Sequence, residues 1–199
     1  MTLDLKLILQ VAGVGLGLLY LWLEYKADIR LWIVGLIMPL VHGSLYFSQG
    51  LYADASMQVY YVAAGLYGLF VWTKARKDTS KGEKTDTPIV HTPISRILPL
   101  VGVYAAAHVA IYFFLTELTD SRVPFWDSLT TSLSIVAMWM LSRKYVEQWL
   151  IWLVVDLVTV GLYFYKDIPL TAGLYLVYSS LAVAGYLRWM KQIKQQREE

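Results

Sequence analysis

The sequence predicts an all-α integral membrane protein of seven transmembrane helices. Three observations carry that prediction: an apolar composition, seven long apolar runs, and a one-sided distribution of basic residues. Of the 199 residues, 57% are hydrophobic and only 16% are charged. Soluble domains carry about 45–50% apolar and about 25% charged residues. One aqueous core cannot hide the excess, so lipid is the expected solvent.

A span needs about 20 apolar residues. Such runs lie at Leu5–Leu23, Leu31–Ser48, Ala53–Trp72, Ile97–Leu115, Val123–Leu141, Gln148–Tyr165 and Pro169–Trp189. The first opens on Asp4 and is too long for a signal-peptide core, so it reads as a retained span. Between the runs, fourteen of the 17 Lys and Arg fall on one side of the membrane. They are Lys26 and Arg30; Lys74, Arg76, Lys77, Lys81, Lys84 and Arg96; Arg143 and Lys144; and Arg188, Lys191, Lys194 and Arg197. Only Lys6, Arg122 and Lys166 fall on the other. Basic residues collect in the cytoplasm, which puts the N-terminus outside and the C-terminus inside. An even number of spans would scramble this split.

A shift of 117 residues lays the chain on itself without gaps. Trp32 falls on Trp149, Leu45-Tyr46-Phe47 on Leu162-Tyr163-Phe164, Tyr61 on Tyr178, Gly68 on Gly185 and Trp72 on Trp189. Eleven of 41 positions are identical across Trp32–Trp72. Leu and Val recur by chance in apolar helices; the Trp, Tyr and Gly matches carry the signal. Helices 1–3 and 5–7 then form parallel halves in a 3+1+3 order. The expected boundaries are 1–72 and 123–189 for the halves and 73–96 for a cytoplasmic loop. Linker helix 4 and an outer loop take 97–122, and 190–199 form a frayed cytoplasmic tail. The loop Thr73–Ser95 is polar, rich in Gly, Pro, Ser and Thr, and reads as a flexible connector. His91 within it reads as a solvated loop residue. Parallel repeats are one transporter architecture, with the site near the midplane. An old duplication without transport is the alternative.

Asp156 is the most informative residue. It is the ninth of 18 residues in its run and lies near the bilayer centre. A carboxylate there costs at least about 2.5–3.5 kcal/mol on insertion scales, and such groups usually face a cavity. The alternative is a protonated Asp bonded to a neighbouring helix. Trp149 and Trp152, at i−7 and i−4, fall in one sector of the helix with Asp156, and Thr159 and Tyr163 extend the stripe. Two indoles beside a carboxylate could cage a planar cation. Trp149 alone could equally be an interfacial Trp. Gln58 and Tyr61 share a face of helix 3 and either line a cavity or bond across helices. His42 is a further candidate on helix 2, although a lone His is more often a packing residue. His108 reads as packing. Ser132 and Ser134 can bond their own backbone, and Asp127 after Pro124 reads as a helix-start residue.

Several chemistries are excluded. With no Cys there is no disulfide or thiolate site. The three His do not cluster, so no metal is expected, nor any cofactor. There is no GxxxxGK[ST], GxSxG or HExxH pattern, and nothing in the chain points to an enzyme or to nucleic acid.

Four stretches carry a family resemblance: Leu51–Gln58 (LYADASMQ), Tyr67-Gly68 with Trp72, Pro124–Met138 (PFWDSLTTSLSIVAM) and Arg143–Trp152 (RKYVEQWLIW). The chain resembles the Pnu family of bacterial vitamin transporters, best known for nicotinamide riboside transporters. The resemblance implies a fold similar to SWEET sugar transporters, two three-helix bundles joined by a linker helix, in a homotrimer. It also implies facilitated diffusion across the bacterial inner membrane, with the vitamin trapped by a cytoplasmic kinase or pyrophosphokinase. The family's helix 6 signature is Trp-x-x-Trp-x-x-x-Asn; here Trp149 and Trp152 match and Asp156 replaces Asn. Nicotinamide riboside members also tend to have Asn where Met38 stands and Trp where Leu69 stands. The thiamine branch carries Asp at the helix 6 position. A carboxylate can accept two hydrogen bonds from an aminopyrimidine edge, so the expected substrate is thiamine, with nicotinamide riboside as the alternative. A proton-coupled symporter using Asp156, or a receptor that binds without transport, are further alternatives.

Overall fold

A computed structural model of the chain describes residues 3–48, 52–77, 88–165 and 169–198. Among them the chain forms seven helices: α1 Leu3–Tyr25, α2 Arg30–Ser48, α3 Tyr52–Lys77, α4 Ile94–Leu118, α5 Pro124–Ser142, α6 Gln148–Tyr165 and α7 Pro169–Glu198. Each expected apolar run coincides with a helix, with ends shifted by up to five residues except in α7; Val123 alone falls outside, just before α5. The chain divides into two compact units, Met1–Thr87 and Pro88–Glu199. By length and hydropathy, α4 and α6 are able to cross a bilayer.

In the first unit α2 packs on both α1 and α3. The core of that packing is Trp32 on α2, 1% exposed. Its indole lies so close to Gly68 on α3 that a Cβ there would overlap the ring. Trp72, one turn further along α3, meets it edge to face at 5.6 Å and 89°. Only a residue without a side chain lets two helices approach around a flat ring in this way.

The second unit repeats that arrangement. α6 packs on α5 and α7. Trp149 on α6 is 1% exposed; a Cβ on Gly185 of α7 would lie 2.6 Å from its ring. Trp189 meets it edge to face at 5.6 Å and 88°.

The turns before α2 and α6 match as well. α1 ends with the Ala27 N–H donating to the Glu24 carbonyl (2.8 Å) and Asp28 N–H to the Leu23 carbonyl (2.9 Å). α5 ends with Lys144 N–H donating to the Leu141 carbonyl (2.9 Å) and Tyr145 N–H to Met140 (3.0 Å). This pair of bonds needs a left-handed residue just past the helix end. Ala27 and Lys144 both take φ 52°, the only positive-φ non-glycine residues among those described.

Two expectations at chain segments are corrected. The tail is not frayed from Lys191 onward: α7 continues to Glu198, and Ile193 is 6% exposed. A polar sequence can still prolong a helix whose last apolar residue finds packing. The loop 73–96 is not a free connector throughout. α3 runs to Lys77, α4 begins at Ile94, and residues 88–92 between them are bonded to the α5–α6 turn. Residues 78–87 of that loop lie outside the described residues.

Candidate functional site in α6

α6 is an unbroken 18-residue helix, so its side chains are ordered in depth at about 1.5 Å per residue. Trp149 lies at its start, with the ring committed to Gly185 and Trp189 as described. Trp152, one turn deeper, is half-buried, and its indole nitrogen is buried without a hydrogen-bond partner among the described residues. Asp156, a further turn along, is 7% exposed. No described residue donates a hydrogen bond to its carboxylate.

The expectation of a carboxylate bonded to a neighbouring helix therefore has no bond behind it in this structure. A donor (the Trp152 N–H) and an acceptor (the Asp156 carboxylate) stand one turn apart, both without partners among the described residues, as the indole N–H groups of Trp149 and Trp32 also are. Unsatisfied buried polar groups are rare, and each one calls for an explanation. A bound solute with complementary groups is one.

Further along α6, Tyr163 stacks on Tyr175 of α7 at 5.4 Å and 28°. Tyr175 in turn meets Tyr178 edge to face at 5.4 Å. Tyr178 lies within electrostatic range of Asp156. Three phenol rings thus run in contact from the end of α6 along α7. The hydroxyl of Thr159 donates to the Val155 carbonyl at 2.7 Å, which engages it with its own helix.

The other candidates are placed as follows. Gln58 and Tyr61 lie half-buried on α3 in the first unit, and Tyr61 meets Tyr60 at 5.5 Å. His42 is on the described backbone of α2, but its side chain, like that of Met38, lies outside the described residues. Ser132 and Ser134 donate to the carbonyls of Leu129 and Thr130, as expected of helix serines. Asp127 accepts a bond from the Ser121 hydroxyl at 2.7 Å in the first turn of α5, which is a helix-start role. His108 packs between Tyr104 and Phe125. No group of three or more potential metal ligands occurs among the described residues.

His91 corrects the reading as a merely solvated residue. Its Nδ1 lies 2.7 Å from Glu147 Oε1. Glu147 also accepts the Thr92 N–H and the Thr92 hydroxyl, each at 2.8 Å. Burial opposes the charge of Glu147, but the bonds from His91 and Thr92 outweigh it and hold the carboxyl below its ordinary value. The signal available in the sequence was Ile89-Val90, an apolar pair within a polar loop, bracketed by Pro88 and Pro93.

A buried carboxylate halfway along an apolar helix is the kind of group that a membrane transporter places on its solute path. The family model described as "Nicotinamide mononucleotide transporter" matches residues 7–191, and the chain belongs to that family. It is 25% identical to the "Nicotinamide riboside transporter PnuC" of Escherichia coli K12, over 94% of this chain and 87% of that one. It is 28% identical to the protein of the same name from Neisseria mucosa, over 89% and 70%. It is 26% identical to the "Riboflavin/roseoflavin transporter RibM" of Streptomyces davaonensis, over 90% and 83%. Among solved structures, "Crystal structure of the Vitamin B3 transporter PnuC" is similar with TM-score 0.68 and 26% identity, covering 92% of this chain and 80% of that one. The Pnu resemblance is thereby shown. The preference for thiamine is not supported: these relatives are named for nicotinamide riboside, vitamin B3 and riboflavin. Asp156, on which that preference rested, fits more than one cationic vitamin.

Proposed function

We propose that the chain is an uptake transporter for a flat cationic vitamin, with nicotinamide riboside as the substrate. The carrying observation is Asp156, 7% exposed and without a hydrogen bond among the described residues, one turn from the indole N–H of Trp152, which is likewise unpartnered among them. A buried charge without a partner is costly, so a cation that completes it gains from both sides. The pyridinium of nicotinamide riboside supplies the charge. Its carboxamide supplies an N–H for the carboxylate and a carbonyl for an indole N–H. Cation–π attraction to Trp152 adds to this.

In this reading Trp152 and Asp156 are the centre of the site, and Tyr163 belongs to the approach along α6. Gln58, Tyr61 and His42 are the candidates for vitamin contact in the first half. Trp149 bounds the site chiefly by fixing α6 against α7. The two halves form a SWEET-like 3+1+3 pair of parallel bundles in the bacterial inner membrane, N-terminus outside and C-terminus inside, assembled as a homotrimer. Transport is facilitated diffusion, drawn inward by phosphorylation in the cytoplasm. Thiamine is the second reading, favoured by Asp156 itself, because an aminopyrimidine edge can donate to a carboxylate.

A titration of purified protein with nicotinamide riboside, thiamine and riboflavin tests the proposal. Nicotinamide riboside should bind tightest, and Asp156→Asn should weaken it by roughly 1.5–3 kcal/mol, the scale for bonds to charged groups. Tighter thiamine binding, lost in the same variant, would select the second reading. A folded Asp156→Asn protein with unchanged affinity for all three would remove Asp156 from the site. In proteoliposomes, a plateau raised several-fold by an imposed proton gradient would replace facilitated diffusion by symport.

A further inference from the structure

Residues 88–92 form a strap across the turn between α5 and α6. Ile89 is 4% exposed, and Val146 beneath the strap is fully buried. Val90 pairs with Tyr145 as a parallel bridge. The Val90 N–H donates to the Lys144 carbonyl at 3.1 Å, and the Val146 N–H donates to the Val90 carbonyl at 3.0 Å. Glu147 then accepts three bonds from His91 and Thr92, at 2.7, 2.8 and 2.8 Å.

The position of these bonds matters more than their number. α4 begins two residues after Thr92, and α6 begins at the residue after Glu147. α4 and α6 each pack on α5, but among the described residues they do not pack on each other. The strap is therefore the direct tie between their neighbouring ends. It also holds a strained turn, since Lys144 takes a left-handed conformation that L side chains disfavour. Trp152 and Asp156 follow Glu147 by five and nine residues on a continuous helix. A shift at the strap is carried to them without a joint to absorb it.

We propose that Glu147 is a positioning residue for the transport site. Through the strap it fixes where α6 starts, and so where Trp152 and Asp156 stand, and it keeps α4, α5 and α6 one body during transport. This rests on the reading of Trp152 and Asp156 as the site. Binding groups need placement to a fraction of an ångström, and a site left about 1 Å loose loses much of its affinity.

The chain has no Cys, which allows a clean reversible lock. Val90→Cys with Tyr145→Cys places a thiol pair across the bridge, in native and Glu147→Ala backgrounds. Three quantities are measured: nicotinamide riboside affinity of the monodisperse protein, uptake by proteoliposomes, and hydrogen exchange of amides 150–156 without vitamin. Glu147→Ala should weaken affinity about tenfold and speed exchange at 150–156. Glu147→Gln, which retains an acceptor for Thr92, should lose less. Oxidising the thiol pair should restore affinity in Glu147→Ala and leave uptake intact in the native background. Unchanged affinity and exchange in folded Glu147→Ala would reduce Glu147 to a surface residue and overturn the proposal. A disulfide that stops uptake while preserving binding would also overturn it, because the strap would then have to open. If the native protein binds no vitamin, the substrate reading fails by itself, and the exchange measurement still decides the strap.

Discussion

Positions 117 residues apart are built alike where they hold helices together and differ where the candidate site lies. Trp32, Gly68 and Trp72 have the ring geometry of Trp149, Gly185 and Trp189 to within 1° and at the same 5.6 Å. Ala27 and Lys144 share the same left-handed φ. By contrast, Trp152 and Asp156 fall on Gly35 and Pro39. The space above Gly35 is filled by the ring of Tyr20, 2.9 Å from where a Cβ would stand. The contrast sets the shared Trp–Gly–Trp contacts, which pack helices, apart from Trp152 and Asp156, which only the second half has. On that division Trp149 packs α6 on α7, while Trp152 and Asp156 are the residues proposed for the site.

The turns differ in the same way. Asp28 accepts the Arg30 N–H at 2.9 Å and pairs with its guanidinium at 2.7 Å, so the first turn is held by its own residues. The second has Tyr145 and Glu147 at those places and is held from outside by the strap.

The hardest test of the shared scaffold is the glycines. Gly68→Ala and Gly185→Ala should each destabilise by about 3 kcal/mol, the upper range for overpacking a rigid core. Gly161→Ala and Gly173→Ala have nothing within 4 Å of the added carbon and should be neutral or stabilising. Thermal unfolding in detergent measures all four. A large loss at only one of Gly68 and Gly185 would break the equivalence of the halves.

The next test splits Trp149 from Trp152. Trp152→Ala should cost roughly 2 kcal/mol of vitamin affinity, on the order of thirtyfold, with little change in melting temperature. Trp149→Phe and Trp32→Phe should lower stability alike and leave the affinity of folded protein within about twofold. Loss of affinity in Trp149→Phe at unchanged stability would return Trp149 to the cage.

Much of this was legible in the sequence. Long apolar runs located all seven helices because lipid rewards apolar residues wherever they point. The 117-residue shift located both Trp–Gly–Trp contacts because bulky and minimal residues are rarely aligned by chance. The depth of Asp156 was likewise readable from its place in the run. Other features were not. Helical phase put Trp149 on the face of Trp152 and Asp156, yet the ring turns into α7, because Gly185 opens room that periodicity cannot register. The strap was missed because five residues held by long-range bonds have no period. The polar end of α7 fails any apolar-span test while remaining helical.

Smaller effects probe the turns. Ala27→Gly should stabilise by up to about 1 kcal/mol, since glycine takes φ 52° without the steric cost borne by alanine. Glu147 provides the pH test. Its folded carboxyl sits below the ordinary 4.5, so its contribution is fully present above that value and is lost as pH falls through the folded one. Hydrogen exchange at 150–156 should therefore be insensitive to Glu147→Gln chemistry only in strong acid, where the native carboxyl is also neutral. A difference between the two proteins that persists there would assign the strap's hold to something other than charge.

α4 differs from its neighbours in one further respect: none of its residues is buried, and Ile94, Leu98, Phe113 and Leu118 are more than half exposed. Away from its contacts with α5, its sequence answers to the solvent around it rather than to the shape of a neighbouring helix. In a library of random variants, the exposed positions of α4 should accept nearly any exchange among Leu, Ile, Val and Phe and reject single charges, because there only partitioning is being selected. α6, pinned at Trp149 and open at Asp156, should reject both. Two helices of similar apolar character thus carry very different amounts of information, and drift over generations would erase the text of α4 long before that of α6.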